Sequence, residues 1–214
     1  MRIINKIILI LMFSVLATKS FAEISVGFKA GSADLDATDT TATTSNKKTR
    51  SASSEFAAVF VEGKLPIDAP INVSLGLEYI PITATLSANA TNRSDETRLS
   101  GDYSMDVSHH TTIYASVSKD FEQGFNIFGK VGYVRADISD VRTNTSALTS
   151  KDDELTGVTY GIGVQKNLDL PLLSFLRLGY DYIEYDTVEA RSATTTYKGD
   201  AEAEAIYLSL GKTF

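Results

Sequence analysis

The residues with the clearest chemical potential form a short cluster around two adjacent histidines. Ser108 directly precedes His109 and His110, and Asp102 and Asp106 lie a few residues earlier. A hydroxyl, an imidazole and a carboxylate are the groups that nucleophilic hydrolases combine. Because neighbours in a strand point to opposite faces, we expect Ser108 and His110 to share a side and His109 to face away. The pattern favours polar residues at the rim of a loop, so no catalytic residue is assigned.

Metal and cofactor chemistry has little support in the composition. The chain of 214 residues contains no cysteine and only 2 histidines, which excludes thiolate zinc sites and cysteine nucleophiles. Acidic residues cluster in 34–39, 95–96 and 152–154, but their spacing matches no calcium loop. The formal net charge of −7 argues against a nucleic-acid partner. We therefore expect no metal site, no cofactor, no nucleic-acid partner and no enzymatic activity.

The first 22 residues have the layout of a secretory signal peptide. Arg2 and Lys6 precede an apolar run over Ile7–Phe13, and small residues then flank Phe21. The apolar run is too short for a helix across a bilayer, which needs about 20 apolar residues. The pattern predicts an exported protein with a signal peptide in 1–22, cleaved after residue 22.

The remaining chain, 23–214, is dominated by alternation of apolar with small or polar residues. The clearest run is Ile71–Tyr79, in which the odd positions are apolar and the even positions are Asn, Ser, Gly and Glu. A period of two is typical of a strand with two different faces. The alternation predicts strands within 24–31, 55–64, 71–79, 112–118, 127–134, 158–165, 176–182 and 206–214. The facing of 55–64 stays open, because its centre is apolar on both faces.

The connections between these strands alternate strictly in length. Short connections with turn residues lie at 65–70, 120–125 and 167–172. Long polar connections lie near 34–54, 87–104, 139–153 and 187–200. In an antiparallel sheet this order places all four long connections at one end and both chain termini at the other.

The composition of the two strand faces favours a barrel in a membrane. The minority face carries Gly, Ser and Thr, which suit a narrow lumen. The apolar face carries Tyr79, Tyr133, Tyr180 and Tyr182 near strand ends, where aromatic girdles meet lipid headgroups. Since only helices and closed barrels can span hydrocarbon, we expect an all-β, eight-stranded, antiparallel, up-and-down transmembrane β-barrel.

Five charged residues fall on the predicted lumen face: Lys29, Glu78, Lys130, Arg177 and Asp181. A buried charge without a partner is costly, so these side chains are expected to pair across the lumen. Eight strands close a barrel too narrow for an open channel. The charges therefore favour a plug over an ion or proton path.

These features together resemble the small outer-membrane β-barrels of the OmpA/OmpX and opacity-protein type. In that family the barrel-assembly machinery reads the alternating residues before a terminal aromatic. The matching residues here are Leu208, Leu210 and Phe214, and Lys212 departs from the usual choice. The resemblance implies a Gram-negative cell outer membrane, with outer-membrane lipid and the assembly machinery as partners.

The expected function is that of a non-enzymatic integral outer-membrane protein. Its four long surface loops would serve envelope structure or adhesion, since hairpin loops normally need only 2–5 residues. A narrow, porin-like passive channel, a lipid-editing enzyme around His110 and a soluble barrel remain alternatives. The identity of a surface ligand stays open.

Overall fold

The computed structural model describes residues 21–41, 44–89, 102–143, 146–147, 149–150, 154–191 and 196–214. Strands dominate these residues, with one 3-10 turn at Glu122–Gly124. The strands are β1 (Glu23–Thr41), β2 (Thr44–Lys64), β3 (Asn72–Ile80), β4 (Ala84–Asn89), β5 (Asp102–Asp120), β6 (Phe125–Thr143), β7 (Ser146–Ala147), β8 (Thr149–Ser150), β9 (Glu154–Asn167), β10 (Phe175–Arg191) and β11 (Thr196–Thr213). No helix among the described residues is long and apolar enough to cross a membrane.

The strands close into a barrel because the first strand pairs with the last. β1 is antiparallel to both β2 and β11, and every other ladder of the barrel is also antiparallel. β3 and β4 share one position in the wall, while β7 pairs with the end of β6 and β8 with the end of β10. The wall therefore has eight positions, and the predicted all-β, up-and-down antiparallel barrel is confirmed.

The two ends of the barrel differ strongly. Short turns over 65–71, 121–124 and 168–174 lie at one end, which we call the turn end. The Ile24 and Phe214 backbones bind each other there, with Phe214 N donating to Ile24 O at 2.8 Å. The opposite end, called the tip end, carries the far ends of the long strands.

The described parts of the long polar connections are strand rather than loop. β1 runs to Thr41 and β2 begins at Thr44, so the predicted loop 34–54 is mainly a hairpin. Strand also covers most of the described parts of 139–153 and 187–200. The prediction was wrong here because polarity was taken as a sign of loop. Polar residues are equally suited to a strand whose outer face is exposed to water.

One ladder of the wall stops early. β2 and β3 pair from Lys64↔Ser74 to Val59↔Tyr79, and Pro81 then separates β3 from β4. Proline has no N–H to donate to a ladder, so it ends regular pairing. In the described ranges β4 forms a ladder with β5 alone. Toward the tip end, the described residues of β2 and β4 are therefore not joined by a ladder.

The strands exchange the polarity of their two faces part-way along. Near the turn end of β11, Ile206 and Leu208 are exposed while Ser209 is buried. Toward the tip end of the same strand, Glu204 is exposed and Ala203 is buried. β6 shows the same exchange, with an apolar core of Ala136, Ile138 and Leu155 of β9 at the tip end. The barrel thus combines an apolar outer belt with a tip-end half built like a water-soluble barrel.

Candidate functional site: the lumen network and the bulge of β5

Two lysines and two carboxylates bind one another inside the lumen. Lys29 Nζ donates to Glu78 Oε1 at 2.8 Å and to Asp181 Oδ2 at 2.8 Å. Lys130 Nζ lies 2.8 Å from Asp181 Oδ2 and 3.9 Å from Glu78 Oε2. Lys29 Nζ also lies 3.9 Å from the Tyr207 ring centroid, whose π face attracts a cation. The charges balance, and this mutual pairing offsets part of the desolvation cost of four buried ions.

A second network around Arg177 lies nearer the turn end. Arg177 donates to both carboxylate oxygens of Glu62 at 3.3 Å and to Gln165 Oε1 at 2.9 Å. Tyr114 Oη donates to Glu62 Oε2 at 3.0 Å. The guanidinium also lies 4.7 Å from the Phe128 ring centroid. The structure thus places all five predicted lumen charges inside the barrel, and each is bonded to a neighbour.

Aromatic side chains fill the lumen around these networks, and glycines of the wall give them room. A Cβ added to Gly76 would overlap the Tyr114 ring, and one added to Gly179 would overlap the Tyr207 ring. Tyr114 and Tyr207 are 4% and 3% exposed. The glycines of the minority face therefore allow rings from neighbouring strands to pack against the inner wall.

The predicted girdle residues lie on the outer face. Tyr133 is exposed, and Tyr79, Tyr180 and Tyr182 are half-buried. At the turn end the outer face carries further exposed aromatic residues, Phe121, Phe125 and Phe214. Of these, sequence reasoning used only Phe214, because the others sit in or beside a turn.

The terminal residues proposed as an assembly signal share the outer face. Leu208, Leu210 and Phe214 are all exposed, while Lys212 is half-buried. Recognition of these residues by an assembly machinery stays a prediction.

The β5–β6 ladder contains a bulge beside the two histidines. Its register passes from Ser108↔Asp137 to Thr111↔Arg135, so two residues of β5 lie opposite Ala136 alone. A bulge of this kind adds one unpaired residue and resets the alternation of side chains.

The bulge reverses the predicted facing of the histidines. His109 has a φ of 53°, in the left-handed region that histidine adopts more readily than most residues. Its Nδ1 lies 3.2 Å from Ser108 Oγ, on the outer face, whereas His110 Nε2 lies 3.2 Å from Tyr185 Oη. Tyr185 packs against the tip-end core. The prediction that Ser108 and His110 share a side is therefore wrong, because the extra residue of the bulge lies between them and breaks the regular alternation of facing.

Two important residues escaped sequence reasoning. Glu62 lies in the segment 55–64, whose facing the sequence left open, and the structure turns it into the lumen beside Arg177. Ala58 and Phe60 are buried on the same side, although Val61 is buried as well. Asp137 lies 3.2 Å from His109 Nδ1, but its place in a polar stretch of β6 carried no sequence signal.

No protein-family model matches the chain, and no curated protein matches it in sequence. In structure it is similar to the outer membrane protein OprG from Pseudomonas aeruginosa, with a TM-score of 0.60 and 10% identity. The match covers 90% of this chain and 97% of that chain. The fold is that of the small outer-membrane β-barrels. Neisserial surface protein A also matches, at a TM-score of 0.41 and 11% identity over 86% of this chain and 96% of the other. The likeness to OprG shows the fold and, at 10% identity, assigns no activity.

Proposed function

We propose that the chain is an integral outer-membrane protein that works at the cell surface, in envelope structure or adhesion, with a lumen that does not conduct. The turn end faces the periplasm and the tip end the medium, as short turns and long strands do in such barrels. The apolar belt on the outer face supports a position of the barrel within the membrane. The belt on β11 runs from Ile206 to Phe214, and nine residues tilted by about 40° span about 23 Å, close to the usual apolar band of about 25 Å.

The filled lumen is the observation that carries this proposal. The four side chains of the central network are each between 4% and 8% exposed. Above them, Val134 and Ala136 are 0% exposed, so the tip-end half is packed as well. A passive channel would need these groups to separate and leave charges without partners, which is costly in a low-dielectric interior.

The tall tip end supports a surface role. Beyond the outer belt, β1 continues from Asp34 to Thr41, and eight strand residues tilted by about 40° reach about 20 Å further. At its start the exposed face is acidic, with Asp34 opposite Glu204 and Asp36 opposite Glu202. Regular strand therefore holds the far end of β1 clear of the membrane.

A planar-bilayer recording tests the closed lumen. We expect the folded barrel to show a flat current record, and a double variant, Lys130→Ser with Asp181→Ser, to stay closed too, because the Arg177 network and the packed tip-end half still fill the lumen. Steady openings of the unaltered barrel would support the channel alternative and defeat the proposal.

An adherence assay tests the surface role. Cells displaying the barrel are compared with cells displaying a variant in which the β1–β2 hairpin is cut back to the pair Ala37↔Arg50 and closed by an Asn-Gly turn. We expect the intact barrel to raise cell-to-cell adherence and the shortened one to lose that gain. Equal adherence of both strains, at equal surface display, would contradict the role.

An extraction test checks the location. The folded barrel should need detergent for extraction and should migrate differently on a gel before and after boiling. Recovery in plain buffer without a shift would support the soluble-barrel alternative.

A further inference from the structure

The bulge of β5 gathers three reactive groups on the outer wall of the barrel. His109 Nδ1 lies 3.2 Å from Ser108 Oγ and 3.2 Å from Asp137 Oδ2. In regular strand, two consecutive residues cannot share a face, so the extra residue and the positive φ of His109 are what bring Ser108 and His109 together. Bulges and left-handed non-glycine residues are frequent at functional sites.

The cluster also lies at a definite depth. On β6, Tyr133 is the last exposed residue of the apolar belt, and Arg135 and Asp137 are the first charged residues beyond it. The His109 ring lies 6.5 Å from the ring of Tyr79, a girdle residue. Aromatic girdles mark the level of lipid headgroups. The ester bonds of membrane lipids lie at this level, between the acyl chains and the polar heads.

We propose that Ser108, His109 and Asp137 form a hydrolytic site for acyl esters of outer-leaflet lipids. This goes beyond the proposed surface role and replaces the expectation of a protein without enzymatic activity. Nothing in the site depends on the lumen, so the proposed closed lumen and the proposed hydrolysis stand or fall separately.

The chemistry requires the neutral histidine tautomer that carries its proton on Nε2, although the Asp137 carboxylate beside Nδ1 favours the tautomer with the proton on Nδ1. Nδ1 then accepts the hydrogen bond of the Ser108 hydroxyl and takes its proton as the oxygen attacks the ester carbonyl carbon. The ester C–O bond breaks, the alcohol leaves with that proton, and the acyl group stays on Ser108. A water molecule, deprotonated by His109, then attacks the acyl-serine; the fatty acid leaves and the hydroxyl is restored.

Asp137 is placed to stabilise the positive charge that His109 carries once it has taken a proton. Once Nδ1 has taken the proton, its N–H⁺ faces the Asp137 carboxylate at 3.2 Å, and a hydrogen bond between two ionised groups is stronger than a neutral one. The carboxylate therefore stabilises the imidazolium as it forms.

Fatty-acid release measures the activity. The purified, folded barrel is incubated in mixed micelles with phosphatidylethanolamine in one arm and with lipopolysaccharide in the other, which separates the two sources of lipid esters. Release in either arm that is lost in Ser108→Ala supports the proposal. A fluorophosphonate probe, which labels activated serines, should also label the unaltered chain and not Ser108→Ala.

Matched variants separate catalysis from folding. His109→Asn keeps a residue that tolerates positive φ but removes the base, and we expect both it and Ser108→Ala to lower release by at least about 100-fold. Ser139→Ala, on the outer face of β6, and His110→Gln, in the lumen, should keep the unaltered rate. All variants are compared only after the gel shift shows them folded. No release in either arm, or equal release by Ser108→Ala, would overturn the proposal.

Discussion

Removal of one lumen lysine should reveal how tightly the central network is coupled. Lys29→Met deletes two hydrogen bonds to Glu78, at 2.8 and 3.0 Å, and one to Asp181 at 2.8 Å. Lys130 then faces two carboxylates alone, and it lies 3.9 Å from Glu78. Breaking a buried ion pair from one side typically costs about 3–5 kcal/mol, so we expect a loss of that size in the free energy of unfolding.

The double variant Lys29→Met with Glu78→Gln completes the test. It removes one cation and one anion and leaves Lys130 paired with Asp181 at 2.8 Å. We therefore expect the double variant to be more stable than the sum of the two single losses predicts, by about 2–3 kcal/mol. Lys119→Met, at an exposed site of the turn end, is the control and should change stability by less than about 0.5 kcal/mol.

A urea titration of folding into lipid vesicles gives these energies. Because the chain has no tryptophan, the folded fraction is read from the gel shift between unboiled and boiled samples. A coupling energy under about 0.5 kcal/mol would refute the reasoning, since the four groups would then behave as independent sites.

Two further predictions concern packing and pH. Gly179→Ala should destabilise the barrel by about 1–3 kcal/mol, because the added Cβ overlaps the Tyr207 ring. The control Gly129→Ala should be tolerated, since the nearest atom to its Cβ is 3.8 Å away. Equal urea midpoints for the two variants would contradict this reasoning. At the turn end, the side-chain amides of Asn126 and Asn72 donate hydrogen bonds to the Asp120 carboxylate. These bonds lower the pKa of Asp120, and that of Asn126 has the largest effect. The folded pKa therefore lies below the unfolded value, so this stabilisation is present above the unfolded pKa and is lost as pH falls through the folded pKa. Asn126→Ala should accordingly lower the urea midpoint at neutral pH and leave it unchanged in strong acid, and a loss of equal size at both pH values would exclude this cause.

The fold was largely readable from the sequence because alternation is a local property. Lys29 and Asp181 could be placed in the lumen from parity alone, since residues two apart in a strand share a face. The strict order of short and long connections similarly predicted an up-and-down barrel. The same rule also misled, because the polar stretch 34–54 was read as loop although β1 and β2 continue through it. At the start of this stretch the alternation has the opposite sense, with Asp34 and Asp36 exposed and Leu35 half-buried.

The candidate site depended on information that a single strand does not carry. Whether Ser108 meets His109 depends on the register of β5 against β6, where one extra residue changes every facing beyond it. Glu62 pairs with Arg177 across 115 residues of chain, and Asp137 reaches His109 only through the β5–β6 ladder. The sequence by itself determined the eight-stranded barrel, the centres of its strands and five of its lumen charges. Only the tertiary structure decided which charges meet and which residues the bulge gathers on the outer wall, because the partner strand sets the register.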